Sequence, residues 1–227
     1  MKPEGGFGGA SFAPPAARVT QAIVALCVVV EAAASVRPRF GDALLAHAAL
    51  VPARLTGLLL PHSGDLPAVL TLLTALFLHA GWLHLVVNMT FLLWVGRHVE
   101  LVAGRAYFVA IYVVSGLAGG LLEVSVAPHS PEQITGASGA IAGVFGAYAV
   151  LFARSRIGSK RLFGLTIAGE VFTAAWYLAT WVGLQLLIAV AFNTGAGGIA
   201  VWTHIGGFIV GLIGVQPLAR RLRRAGV

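Results

Sequence analysis

The chain has 227 residues, 58% of them hydrophobic and only 10% charged, and its mean hydropathy is +0.89. A water-soluble domain carries roughly 25% charged residues to keep its surface wetted. Fifteen basic and eight acidic side chains cannot do that here, which excludes a soluble globular domain and leaves an integral, multi-pass membrane protein. The net charge of +7 and pI near 10.5 would suit nucleic acid in a soluble protein. In this chain the basic residues flank apolar runs, where they anchor helices at lipid headgroups instead. The single cysteine, Cys27, excludes an intramolecular disulfide.

At about 20 residues per crossing, this length holds roughly five to seven transmembrane helices. Met1–Ala17, rich in Gly, Pro and Ala, reads as a disordered N-terminal tail. Val19–Val36 is the first apolar run. It contains Glu31 and follows a tail with few basic residues, so it reads as a retained helix and not as a signal peptide. Arg37–Pro67 mixes charges, prolines and short apolar stretches, as a long, partly helical loop would. Leu70–Leu78 is too short to cross a bilayer. Further spans are expected over Leu83–Val95, Tyr107–Leu122, Ala137–Phe152, Val171–Phe192 and Val201–Leu218, six in all. The domain plan is therefore a tail over 1–17, a helical membrane domain over 18–219 and a basic tail over 220–227.

Orientation follows from the basic residues. With the N-terminus cytoplasmic and six spans alternating, twelve of the fifteen fall on the cytoplasmic side. Only Arg37, Arg39 and Arg54 lie outside. Both ends are then cytoplasmic and the long first loop is external. Glycines recur at four-residue spacing, Gly116 with Gly120, Gly139 with Gly143, and Gly207 with Gly211. Each pair lies on one helix face and lets backbones approach closely. Tight packing of the fourth span on the sixth is the expected result.

Polar side chains at membrane depth are costly, so each raises a functional hypothesis. His79, His84 and Asn88 stand at or in the second span, Ser138 opens the fourth, and His204 lies near the start of the sixth. These three spans all enter from outside, so the four membrane-embedded residues fall in one leaflet. Taken singly, each has an ordinary explanation. A helical serine bonds its own i−4 carbonyl, a buried histidine bonds a neighbouring carbonyl, and His79 holds the loop edge.

Taken together they make chemistry. A serine hydroxyl becomes nucleophilic when a histidine takes its proton, and the resulting oxyanion needs donors aimed at it. Asn88, His84 and the Ser138 backbone N–H at a helix start are suitable donors. No acidic residue lies at matching depth in these spans, which points to a Ser138–His204 dyad. The string Gly136-Ala137-Ser138-Gly139-Ala140 is not the nucleophile elbow of α/β-hydrolases. His79 and His84, five apart, do not stack on one helix face, and there is no His-Glu-x-x-His, so no metal is expected.

With these residues assembled, the chain resembles the rhomboid intramembrane serine proteases. The resemblance rests on His79-Ala80-Gly81-Trp82-Leu83-His84 with Asn88, on Gly136-Ala137-Ser138-Gly139, and on His204-Ile205-Gly206-Gly207-Phe208 with Gly211. It covers about Val19–Leu218. It implies a six-helix bundle and a serine endopeptidase without cofactor, with Ser138 as nucleophile and His204 as base. It further implies that His84 and Asn88 line an oxyanion hole, and that Gly207 and Gly211 pack the sixth helix on the fourth. Substrates would be transmembrane segments of other membrane proteins, cut near the external face. The membrane implied is a bacterial plasma membrane.

Two departures stand out. The Trp-Arg pair that many members carry before the second span is replaced by Leu70-Thr71-Leu72-Leu73, so the first loop needs another anchor. A tyrosine four residues after the nucleophile, stacked on the histidine, is replaced by Ala142. His204 therefore needs another support, with Trp202 and Phe145 as candidates. The rival readings are an inactive relative that binds client helices and, more distantly, a small transporter.

Overall fold

The computed structural model describes residues 16–152, 160–162, 165–167, 169, 172, 175–176, 179–183 and 200–225. The chain opens with α1 (Arg18–Val36), whose 19 residues rise about 28 Å, enough to cross a bilayer core. Helix α1 is apolar on most sides, and Leu26, Val28 and Val29 stay exposed. Val86, Leu93, Val114, Ile209 and Ile213 on later helices do the same. An outward apolar surface of this kind is a liability in water and ordinary in lipid.

The segment after α1 is partly helical. It forms α2 (Pro38–Ala48), α3 (Pro52–Leu55) and α4 (Ala68–Thr74), the last running into a 3₁₀ turn over Ala75–Phe77. Prolines stand at the first turns of α2 and α3, where a missing N–H costs nothing. Gly81, at φ +122°, breaks the chain before the next span. That span is α5 (Trp82–Phe91), a π turn at Leu92–Gly96 and α6 (Arg97–Ala103), which together form one apolar helix of 22 residues. Helix α7 (Arg105–Val126) returns antiparallel to it.

Helix α8 (Ser138–Phe152) has 15 residues, shorter than a full crossing, and 11 of them are buried. It is the central helix, enclosed by its neighbours and not by lipid. Helices α9 (Val201–Gly214) and α10 (Gln216–Arg224) close the described chain as one 24-residue apolar-to-basic rod. Arg220, Arg221, Arg223 and Arg224 fall on α10. Among the described residues, four helices are thus long and apolar enough to cross a membrane. The fifth expected span, Val171–Phe192, lies mostly outside the described residues, as do Met1–Pro15 and Glu170; Ala179–Gly183 is helical. The one sheet among the described residues pairs β1 (Lys160–Leu162) with β2 (Leu165–Ile167).

The core of the bundle is α7, α8 and α9, and it is built from missing side chains. A Cβ on Gly207 would collide with the Gly139 carbonyl, and one on Gly211 with the Gly143 carbonyl. The expected contact between fourth and sixth spans is therefore backbone against backbone. The third span joins α8 through Gly116, where a Cβ would lie 3.3 Å from Ala140 Cβ, and meets α9 more closely through a further glycine. Gly119 meets the Thr203 carbonyl, while Gly116 and Gly120 receive Leu76, Leu72 and Leu50 from the first-loop region. Tyr107, at the start of α7, donates to the Gly214 carbonyl at the end of α9, which sets these two helices antiparallel.

Two carboxylates start helices, one buried and one half-buried. Glu100, only 3% exposed, accepts the N–H groups of Val19 and Thr20 and the Thr20 hydroxyl at 2.8–3.0 Å. Glu123 accepts the N–H of Thr203 at 2.9 Å and its hydroxyl at 3.3 Å. Each satisfies donors that a helix start leaves without partners, and each puts negative charge at the positive end of the dipole.

Candidate active site

Ser138 is the first residue of α8, and the segment before it is held on both sides. Leu50 and Ile134 exchange two backbone hydrogen bonds at 3.1 and 2.7 Å, and the Gly136 N–H donates to the Ala75 carbonyl at 2.9 Å. The first-loop region therefore forms the shelf on which the start of α8 rests. Gly136 sits at φ +118°, and a Cβ there would lie 2.7 Å from His84 Cε1 and 2.9 Å from Nε2. Only glycine satisfies both conditions, and the close approach sets the His84 ring beside the turn that presents Ser138.

His204 is the fourth residue of α9. Its Nε2 lies 2.8 Å from Ser138 Oγ, and both residues are nearly closed to solvent, at 3% and 8% exposure. The distance is that of a hydrogen bond. For Nε2 to accept the serine proton, the ring proton must reside on Nδ1, and that buried atom has no partner among the described residues. Glu123, which the sequence reading did not place near the site, touches Thr203 and not the ring. It fixes the first turn of α9 immediately before His204.

His84 and Asn88 stack one turn apart on α5. The Asn88 Nδ2 donates to the His84 carbonyl at 2.9 Å, which leaves its second N–H for another acceptor. Asn88 is fully buried. His84 Nδ1 accepts the Ala80 N–H at 3.4 Å, so Nε2 is the atom turned toward Gly136. His79 packs edge-on against His84, ring centroids 5.2 Å apart, and is 4% exposed. Ser138, Gly139 and Ala140 occupy the first turn of α8, where N–H groups have no intrahelical acceptor.

Neither proposed support for His204 fills that role. Trp202 is 44% exposed and Phe145 packs on other rings. The ring against His204 is Trp181, centroids 4.9 Å apart at 58°. Phe145 and Phe91 back the indole at 5.9 and 6.2 Å. A tryptophan in an apolar run carries no signal that separates it from one facing lipid, so the sequence reading passed over it.

The first loop has its own anchor. Asp65 Oδ1 lies 2.7 Å from His47 Nδ1 and 3.5 Å from Arg54, and Oδ2 accepts the His62 N–H at 2.7 Å. These partners hold the Asp65 carboxyl down at about 2, with the His47 hydrogen bond the largest cause. Arg54 also donates to the Ala46 carbonyl, and Thr74 to the Ala48 carbonyl. This cluster anchors a first loop that lacks the Trp-Arg pair.

The family model of the Rhomboid domain matches residues 67–221, more than half of the chain and every residue of the site. The chain belongs to the rhomboid family. Among curated proteins it is 38% identical to RHOMBOID-like protein 5 of Arabidopsis thaliana over 76 residues, 34% of this chain and 25% of that one. It is 31% identical to Rhomboid protease GluP of Bacillus subtilis (strain 168) over 148 residues, 65% of this chain and 25% of that protein. It is also 33% identical to Inactive rhomboid protein 1 of Rattus norvegicus over 143 residues, 61% of this chain and 14% of the relative. The chain thus spans a quarter or less of the length of these relatives. Rhomboids of both kinds, proteases and inactive proteins, are similar to it. The residues matched extend beyond the site helices to α10, so the family covers the bundle core and the site together.

Proposed function

We propose that this rhomboid is an intramembrane serine endopeptidase that cuts transmembrane segments of other membrane proteins near the external face. The observation that carries the reading is the buried 2.8 Å contact between Ser138 Oγ and His204 Nε2, made by residues 66 positions apart. In the mechanism, Oγ attacks a substrate carbonyl carbon as its proton passes to Nε2. The oxyanion is met by the second Asn88 N–H, the His84 ring and the N–H groups at the start of α8. His204 then protonates the leaving amine, and water hydrolyses the acyl-enzyme on Ser138. No step calls for a metal or cofactor. The proposed setting is a bacterial plasma membrane, crossed six times, with both termini in the cytoplasm and the first loop outside.

The second reading is a client-binding protein without protease activity, favoured by the similarity to an inactive rhomboid protein. A protein that only holds clients has no chemical need for a serine and a histidine at hydrogen-bond distance inside a buried site. The test is fluorophosphonate labelling of the detergent-solubilised chain beside Ser138→Ala and His204→Ala. Labelling of the parent that disappears in both variants supports the protease. A folded parent that takes no label moves the assignment to client binding.

A further inference from the structure

His204 presents a problem that the dyad does not solve. A base must keep one ring orientation, and it must carry positive charge once it has taken the serine proton. In a triad a carboxylate on Nδ1 does both. Here Nδ1 is buried with no hydrogen-bond partner among the described residues, and Glu123 is committed to Thr203. The single Nε2 hydrogen bond to Ser138 does not by itself define the ring's rotation about that bond. Among the described residues, the aromatic ring that meets the imidazole is the Trp181 indole, 1% exposed, at a centroid separation of 4.9 Å.

We propose that Trp181 is the positioning residue for His204, holding the imidazole toward Ser138 and stabilising its charged form through the indole ring. The proposal rests on the protease reading above and deepens it. Three features support it. The distance lies within the roughly 6 Å over which a cation is attracted by an aromatic face, and tryptophan is the strongest such partner. The site is dry enough for the attraction to be large, since both rings are almost fully buried. The indole is itself held, by Phe145 of α8 and Phe91 of α5. Its Nε1 has no hydrogen-bond partner among the described residues. Of its described ring contacts, that with His204 is the shortest.

The consequence is that three helical segments converge on the base. Helix α9 carries it, α8 carries the serine it serves, and Ala179–Gly183 brings the ring that steadies it. The proton path is unchanged by this arrangement. It runs from Ser138 Oγ to Nε2, while Nδ1 keeps its proton throughout.

The experiment measures fluorophosphonate inactivation of the full chain in detergent, resolving the maximal rate from the half-saturating probe concentration. Trp181→Leu fills much of the volume without an aromatic face. It is expected to lower the maximal rate about 30-fold, as loss of a desolvated cation–aromatic contact allows, with half-saturation unchanged. Trp181→Phe keeps a ring and is expected to stay within about fivefold of the parent, because phenylalanine retains part of the attraction. A second measurement needs no change of shape. Fluorotryptophan incorporated at all five tryptophans weakens the negative ring face. It is expected to slow the parent and to leave Trp181→Phe unaffected.

A Trp181→Leu rate within threefold of the parent overturns the proposal. So does equal slowing in the leucine and phenylalanine variants. If the leucine variant does not fold, the fluorotryptophan comparison decides, and equal slowing of parent and Trp181→Phe overturns it. Failure of the protease reading looks different: the folded parent takes no label, or Ser138→Ala takes as much as the parent.

Discussion

The bundle core and the first loop meet at the start of α8, yet they are held by opposite means. The core joins α7, α8 and α9 mainly by backbone contact across Gly119, Gly139, Gly143, Gly207 and Gly211, with the Glu123 carboxylate only capping the start of α9. The loop is held by the Asp65 carboxylate between His47, His62 and Arg54. Contact through glycine leaves no rotamer to adjust, so it sets the Ser138–His204 distance rigidly. A carboxylate cluster is soft, sensitive to pH, and suited to a segment that only has to support a shelf. In lipid the first means is favoured because tight packing, and not exclusion of water, drives helices together.

The sharpest way to break this contrast is at Gly211. Gly211→Val places side-chain atoms on the Gly143 carbonyl, and only backbone separation can relieve that. Loss of folded protein is expected, with Gly211→Ala retaining a fold destabilised by about 2 kcal/mol or more. Thermal melting in detergent measures it, and an unshifted melt for Gly211→Ala would deny that these backbones touch.

Next in size is Asn88→Ala. Removal of one oxyanion donor is expected to slow serine labelling by about 10- to 1000-fold while the melt shows a retained fold. An unchanged rate would remove Asn88 from the site. Glu123→Gln comes third. Its carboxylate cap on Thr203 is worth about 1 kcal/mol, so a lowered melt with labelling slowed only a few-fold is expected. A loss as large as that of His204→Ala would mean that Glu123 acts on the ring itself.

The smallest effect belongs to the loop. The Asp65 carboxyl ionises near 2 in the fold against about 3.9 in an unfolded chain, so its contribution is complete above about pH 4. It is lost as pH falls from there toward 2. Limited proteolysis within Gly57–Pro67 is expected to accelerate over that window. Asp65→Asn should show the faster cleavage already at neutral pH and no further acid response. Unaltered cleavage in the variant would show that the loop is anchored elsewhere.

Much is legible in the amino-acid sequence. Composition alone placed the chain in a bilayer, and helix direction put His84, Asn88, Ser138 and His204 at one end of their helices. The spacing of Gly207 and Gly211 pointed to the α8–α9 seam. Three things were not legible. Trp181 looks like any aromatic in an apolar run, because burial against a ring and burial in lipid leave the same residue type. Glu123 stands at the edge of its span, where a carboxylate usually faces water, and its acceptor role depends on where Thr203 arrives 80 residues later. His47 and Asp65 lie 18 residues apart across a loop with no period to relate them.

The division has a physical cause. Solvent class, helix period and the need for small residues at a close seam act along the chain, within a few turns, and are written in residue type and spacing. Which side chain touches which across helices depends on rotation and depth, and those are settled only when all the helices pack at once. The membrane character and the candidate dyad belong to the first kind. The indole against the imidazole, the carboxylate at the start of α9 and the ionic clasp of the loop belong to the second.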